Sequence, residues 1–219
     1  MDYNLAGIRE RVINDKLDDD EFDPGIVDRF INDAQRDIFN QFELSFQEGI
    51  FSGAVPVDAT IFQYPTDVAI AQSHVITAPD GSQKDLHDGY LDFRTFNSMF
   101  PTPANNTPGA IGYWTLYGGN ILTSCPTDDE YTLTIFYIKK PTKLVEDDDV
   151  PQIPEEFSEL LVLGAYIRVL QRNEDFDQAD YIKKNEYNNQ LDLLVSRYGF
   201  RKSDGPIKMK NQQVNIRKR

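Results

Sequence analysis

Apolar residues recur at helical spacing near both ends of this chain and at period two in the middle, and no other feature constrains the fold as strongly. At the start, Leu5, Ile8, Val12, Ile13 and Leu17 predict a helix over residues 3–17. An acidic run over 18–23 stops it. Asp23-Pro24 then offers an N-cap and a proline at the first helical position, where its missing N–H costs nothing. Ile26, Val27, Phe30, Ile31, Ala34, Ile38 and Phe42 form one stripe of a second helix, with Asp28, Arg29, Asn32, Asp33, Arg36 and Asp37 on its outer face. Near the other end, Pro154 opens a third helix with Glu155 and Glu156 in the dipole-favoured first turn. Residues 157–170 are apolar nearly all round, so this helix is central or covered by neighbouring subunits. Asp175 caps a fourth helix with the stripe Phe176, Ala179, Ile182, Tyr187, Leu191, Leu194, Val195 and Tyr198, ended by Gly199.

Between these helices, proline, glycine, threonine and aromatics dominate. Ile61 to Tyr64 and His74 to Thr77 read as short strands, the second ended by a turn at Pro79-Asp80-Gly81. Gly118-Gly119 between residues 111–117 and 120–125 is a strong hairpin signal. Residues 131–139 alternate, but both faces are partly apolar, which predicts a central strand. The stretch 101–109, rich in proline and asparagine, predicts a loop.

Neither helix pair buries its stripe well alone. The economical fold is α+β: one helical bundle built from the N- and C-terminal helix pairs, a β-rich module inserted between them, and an extended C-terminal arm. The expected divisions are 1–50 and 144–199 for the bundle, 51–143 for the insertion and 200–219 for the arm. No apolar run approaches the roughly 18 residues that span a membrane, and the first residues do not read as a secretory signal. One cysteine, Cys125, excludes an internal disulfide and fits a reducing compartment.

Catalytic signatures are missing. Two histidines, His74 and His87, and one cysteine do not make a standard zinc site without several carboxylates. No phosphate-cradling glycine loop, nucleophile elbow or paired-histidine zinc motif occurs. The acidic runs at 18–23 and 146–149 lack the glycine and bidentate glutamate of a calcium loop and read as solvated linkers. The chain is expected to be no enzyme and to hold no cofactor or metal. Tyr113, Trp114 and Tyr117 on the hairpin have two readings: core aromatics, which is commoner, or a platform that stacks on a sugar or a base.

Charge points to a docking role. Residues 200–219 hold seven Lys/Arg against one Asp, a net of +6, which leaves −20 on residues 1–199 of the chain's −14. The acidic body repels phosphates over a broad surface, a property that also suits a wall past which DNA slides. In the arm, Ile207, Met209, Val214 and Ile216 alternate with Lys208, Lys210 and Arg217; Arg201, Lys202, Lys218 and Arg219 add charge. Such a segment can add a strand to a sheet edge or lie in a groove of another protein. A tail on nucleic acid and a plain unstructured end are the competing readings. The apolar alternation favours protein docking, because a DNA tail gains little from Ile, Met and Val.

The layout resembles the head-to-tail adaptor, or connector, proteins of tailed bacteriophages. The resemblance rests on Asp23-Pro24-Gly25-Ile26-Val27-Asp28-Arg29-Phe30, on Trp114-Thr115-Leu116-Tyr117-Gly118-Gly119-Asn120-Ile121-Leu122, and on Tyr131-Thr132-Leu133-Thr134-Ile135-Phe136-Tyr137. It continues through Val150-Pro151-Gln152-Ile153-Pro154-Glu155-Glu156-Phe157, Leu163-Gly164-Ala165-Tyr166 and Asp177-Gln178-Ala179-Asp180-Tyr181. It implies a structural virion protein at the head–tail junction, assembled in the host cytoplasm with no membrane partner. It implies a ring, usually of twelve copies, between portal and tail, enclosing a channel through which DNA passes without sequence-specific binding. The C-terminal arm would reach the portal, and the apolar third helix would offer surface to neighbouring copies. The β module would meet tail nozzle proteins, fibres or neighbouring adaptors, with Tyr113, Trp114 and Tyr117 as candidate contacts. The alternative is a virion protein whose β module binds carbohydrate or a tail fibre.

Overall fold

Helices from the two ends of the chain share one apolar core, and the β-rich middle has its own. The structure is a computed structural model and describes residues 3–17 and 22–199. The bundle begins with α1 (Leu5–Glu10), which widens into a π-helical stretch, Arg11–Leu17, and continues with α2 (Pro24–Gln41). The middle holds β1 (Glu48–Val55), β2 (Ile61–Gln63), β3 (Val68–Thr77), β4 (Gln83–Asp85), α3 (Phe93–Met99), β5 (Trp114–Tyr117), β6 (Asn120–Thr123) and β7 (Tyr131–Lys139). The bundle resumes with α4 (Ser158–Arg172), α5 (Phe176–Ile182) and, after a π-helical turn, α6 (Asn188–Tyr198).

Local chemistry accounts for the helix starts. The Asn4 side chain accepts from Gly7 N at 2.9 Å, and Asp23 accepts from Gly25 N at 2.9 Å with Pro24 at the first position. Asp175 accepts from Gln178 N at 3.2 Å. The acidic linker before α4 does more than solvate. Carbonyls of Asp149 and Asp147 take the otherwise unpaired Leu5 and Ala6 N–H groups at 2.9 and 3.0 Å. Arg9 then reaches both Asp28 (2.6 Å) and Asp147 (2.8 Å).

Leu5, Ile8, Val12, Val27, Ile31, Ala34 and Ile38 pack with Leu160, Leu161, Val162, Ala165, Leu191 and Leu194. Every residue of α4 from Leu160 to Leu170 is buried except Arg168. The chain's own helices cover it, so the expectation that this helix offers surface to neighbouring copies is corrected. Phe176, expected in the last stripe, is exposed, because α5 turns Ala179 and Ile182 inward against α4. Gly199 ends α6 in an extended conformation (φ −68°, ψ 141°). Its need for glycine is steric: a Cβ there would lie 2.5 Å from Val195 O.

Side chains of α2 tie down the strap that leads from β7 to α4. Gln35, 1 % exposed, donates to Thr142 O (2.9 Å) and accepts from Gln152 N (3.1 Å). Asn32 donates to Leu144 O (3.0 Å) and accepts from Leu144 N (2.8 Å). Replacing Gln35 with Met keeps the volume and removes both bonds. It is expected to lower stability by about 1–3 kcal/mol, since partners lose their hydrogen bonds beside an apolar core. Urea denaturation of the variant checks this.

The middle is a two-sheet module. One sheet has the order β1-β7-β3-β4 and the other β2-β6-β5, all pairs antiparallel. β7 is central, as its two partly apolar faces predicted. Gly118 and Gly119 (φ 60° and 77°) turn the β5–β6 hairpin. Leu133, Ile135, Tyr137, Val55 and Ile76 from the first sheet meet Trp114, Ile121, Leu116 and Phe62 from the second. Sequence reading missed β1, β4, α3 and the first half of β3. The 101–109 loop contains one 3₁₀ turn, Pro103–Asn105.

Candidate docking surfaces

The arm begins beyond Gly199, and the root that launches it is firmly built. Gly199 forms an antiparallel bridge with Leu44, the fully buried residue just before β1. Phe46 meets Phe39 and Tyr198 edge-on, with centroids 5.8 and 5.5 Å apart, and Phe157 meets Tyr198 at 6.1 Å. The Glu156 carboxylate accepts from the Tyr198 hydroxyl (2.7 Å) and from Arg197 (3.1 Å). These bonds, the tyrosine's foremost, hold Glu156 below the usual carboxylate range, and the same bond pushes Tyr198 up. The group is solvent-exposed, so its value lies in orientation rather than in stability. Sequence reading missed this cluster because its rings come from separate elements with no shared period.

Arg201, Lys202, Ile207, Lys208, Met209, Lys210, Val214, Ile216, Arg217, Lys218 and Arg219 lie outside the described residues. What the structure supplies for the arm is its point of departure, beside the junction of bundle and β module.

The hairpin aromatics separate. Trp114 is 2 % exposed, and its indole N–H donates to Leu86 O at 2.7 Å. It is a core residue, which corrects its candidacy as a stacking or contact ring: alternation on β5 points it between the sheets. Tyr113 and Tyr117 remain at the surface. Tyr117 stacks on Phe93 of α3 (3.9 Å, 14°) and Tyr113 on Phe100 (5.6 Å, 28°).

Both histidines line a half-open cleft of about 560 Å³ with Asp85, Tyr90 and Trp114. His74 Nε2 shares a 3.1 Å hydrogen bond with the Tyr64 hydroxyl, and its ring lies 4.7 Å from Trp114. Burial lowers the His74 pKa; Asp85 opposes this and His87 adds to it. The folded protein therefore favours neutral His74. Its stability contribution is complete above the ordinary value of 6.5 and is lost as pH falls through the depressed folded value. Urea midpoints followed by Trp114 fluorescence are expected to drop as pH falls below about 6.5, and less so in His74→Gln. An equal drop in both proteins would remove His74 as the cause.

No group of three or more His, Cys, Asp or Glu side chains that could hold a metal occurs among the described residues. No described helix is long and apolar enough to cross a membrane. A groove of about 640 Å³ runs between α2 and the strap and is lined by Asp28, Arg29, Asp33, Arg36 and Lys143, among others. Its mixed charges suit contact with a charged partner.

A family model described as SU10 adaptor protein matches residues 3–210, spanning bundle, β module and half of the arm. No curated protein matches the chain at a significant level.

Proposed function

Because the chain belongs to the SU10 adaptor protein family, we propose that it is a structural bacteriophage protein that forms a ring joining portal to tail. The ring, of twelve copies, encloses the channel through which DNA passes, and each copy grips the portal with its C-terminal arm. The observation that carries this reading is the match of the family model over residues 3–210.

The physical chemistry supports it. Residues 1–199 carry −20, so a ring of such bodies repels DNA phosphates and lets the duplex slide. The arm, at +6, seeks carboxylates on its partner while its alternating apolar residues fill pockets or add a strand. The Phe39–Phe46–Tyr198 cluster, braced by Glu156, fixes the end of α6 that precedes the arm. Tail-side contacts fall to the β module, whose Tyr113 and Tyr117 are at the surface. The carbohydrate-binding alternative loses its central ring with the burial of Trp114.

Electron microscopy of the full chain mixed with its portal tests the reading. Closed rings seated on the portal, with density for the arm along it, are expected. A monomer that ignores portal at micromolar concentration overturns it.

A further inference from the structure

The two outer faces of the β module carry different apolar patches, and such a pair suits head-to-tail contact between copies. Alternation assigns the faces. On the four-stranded sheet, Ile50 pairs with Phe136, and Ile70 pairs with Ile138 beside them, all on the face away from the module core; Ile138 itself is buried there, so the open patch is formed by the other three. Ile50, Phe136 and Ile70 are 69, 40 and 50 % exposed. On the three-stranded sheet, Ile61 pairs with Leu122, and Tyr117 lies in the next row, again away from the core. Ile61 and Tyr117 are 59 and 57 % exposed, and Phe93 extends the patch through its stacking on Tyr117.

A sandwich ordinarily makes its outer faces polar, so three exposed large apolar residues on one face and two on the other call for a partner. A two-fold dimer uses one patch twice. A ring needs two unlike patches on different flanks of each copy. The shared core between the sheets sets these patches on opposite sides.

Charge agrees. The exposed row of β1 carries Glu48 two residues before Ile50, and the outer row of that sheet holds no Lys or Arg. The strands of the other sheet hold no charged residue at all, and Arg94 of α3 stands beside Phe93. Neither Glu48 nor Arg94 forms an ion pair among the described residues. The size sets a limit. Three strands about 27 Å long and the three-residue β4, about 4.8 Å apart, make a face of roughly 430 Å², part of it already covered where Ile138 is buried. That is at most about half of the ~800 Å² each partner gives to a stable interface, so the rest comes from elsewhere in the copy.

We propose that the Ile50/Phe136/Ile70 face of one copy seats against the Ile61/Tyr117/Phe93 face of the next copy, with Glu48 meeting Arg94 across the joint. This rests on the ring reading above and names its contact.

Two single-cysteine chains test it, Ile50→Cys and Ile61→Cys, each with Cys125→Ser. Both introduced positions are exposed, so folding is retained and is checked by circular dichroism. With a short bis-maleimide, the mixed sample is expected to give a crosslinked dimer and each variant alone is expected to stay uncrosslinked. In parallel, Glu48→Arg or Arg94→Glu alone is expected to reduce oligomer in mass photometry, and the pair together to restore it. Dimer from Ile50→Cys alone means a two-fold contact and overturns the proposal. Oligomers that form without any mixed crosslink and ignore the charge swaps also overturn it, while leaving the ring reading standing. A chain that stays monomeric with its portal overturns both.

Discussion

Removal of residues 200–219 is expected to leave a folded protein that no longer attaches to the portal. Among the described residues, each of the three apolar cores is built from positions up to Tyr198, and the Leu44–Gly199 bridge lies within the retained chain. The melting temperature and circular dichroism spectrum of the truncated protein should therefore match those of the full chain. The loss falls on binding. Residues 200–219 contain the chain's only concentrated positive charge together with four alternating apolar residues. Losing both should weaken attachment at least about 100-fold, or roughly 2.7 kcal/mol. The charge part should fade with salt, because exposed pairs are screened within about 8–10 Å at physiological ionic strength. Co-sedimentation with portal at low and high salt measures both parts. If the truncated chain attaches as the full chain does, the arm is not the docking element and portal contact belongs to the body.

Gly164→Val is expected to destabilise the bundle strongly. Gly164 sits where α4 crosses α2, and a Cβ built there lies 2.8 Å from the Ala34 Cβ. Backbones must approach closely at this point, and Arg168 holds them there, donating to Gly164 O (2.7 Å) and to Asp37 (2.5 Å). For Gly164→Ala two effects compete. Helix propensity gains about 1 kcal/mol. Overpacking costs about 1–3 kcal/mol. The clash wins narrowly, and a net loss of about 1 kcal/mol is expected. Valine adds two methyl groups and a β-branch, has less propensity to offset them, and should cost about 3 kcal/mol or more. Ala34→Gly opens the same space, so it should recover much of the loss in Gly164→Ala while destabilising the parent. Urea denaturation of the four proteins gives the coupling between the two sites. A Gly164→Val protein as stable as the parent would mean that the helices separate freely at this crossing.

Much of the architecture was legible because its signals are local. Asp23-Pro24 and Asp175 cap helices wherever those helices finally pack, since the bonds span two or three residues. Gly118-Gly119 turns back because both positions need φ above zero. The stripe of α2 and the nearly all-round apolarity of α4 already implied a bundle drawn from both ends of the chain. The family resemblance had the same source, since it rests on such segments taken together.

The parts that escaped are those whose character depends on a distant partner. β1 shows weak alternation because Gly49 and Gly53 occupy its inner face, and its strand identity comes from pairing with β7 more than seventy residues on. A Cβ at Gly53 would strike the Phe51 ring at 2.6 Å, a constraint invisible until the ring is placed. α3 is too short to show a helical period. Trp114, Tyr113 and Tyr117 look alike in a list of aromatics, yet one is core and two are surface.

By itself, then, the sequence determined the α+β class, the caps, the central place of β7, the opposed charges of body and arm, and the family resemblance. Each follows from residue type and near neighbours. Only the tertiary structure decided that α4 is covered from within, that the arm departs beside Leu44, that the strap hangs from Asn32 and Gln35, and that the β module presents two unlike apolar faces. Those outcomes depend on which distant segments exclude water from one another, and that choice is made by the whole chain at once.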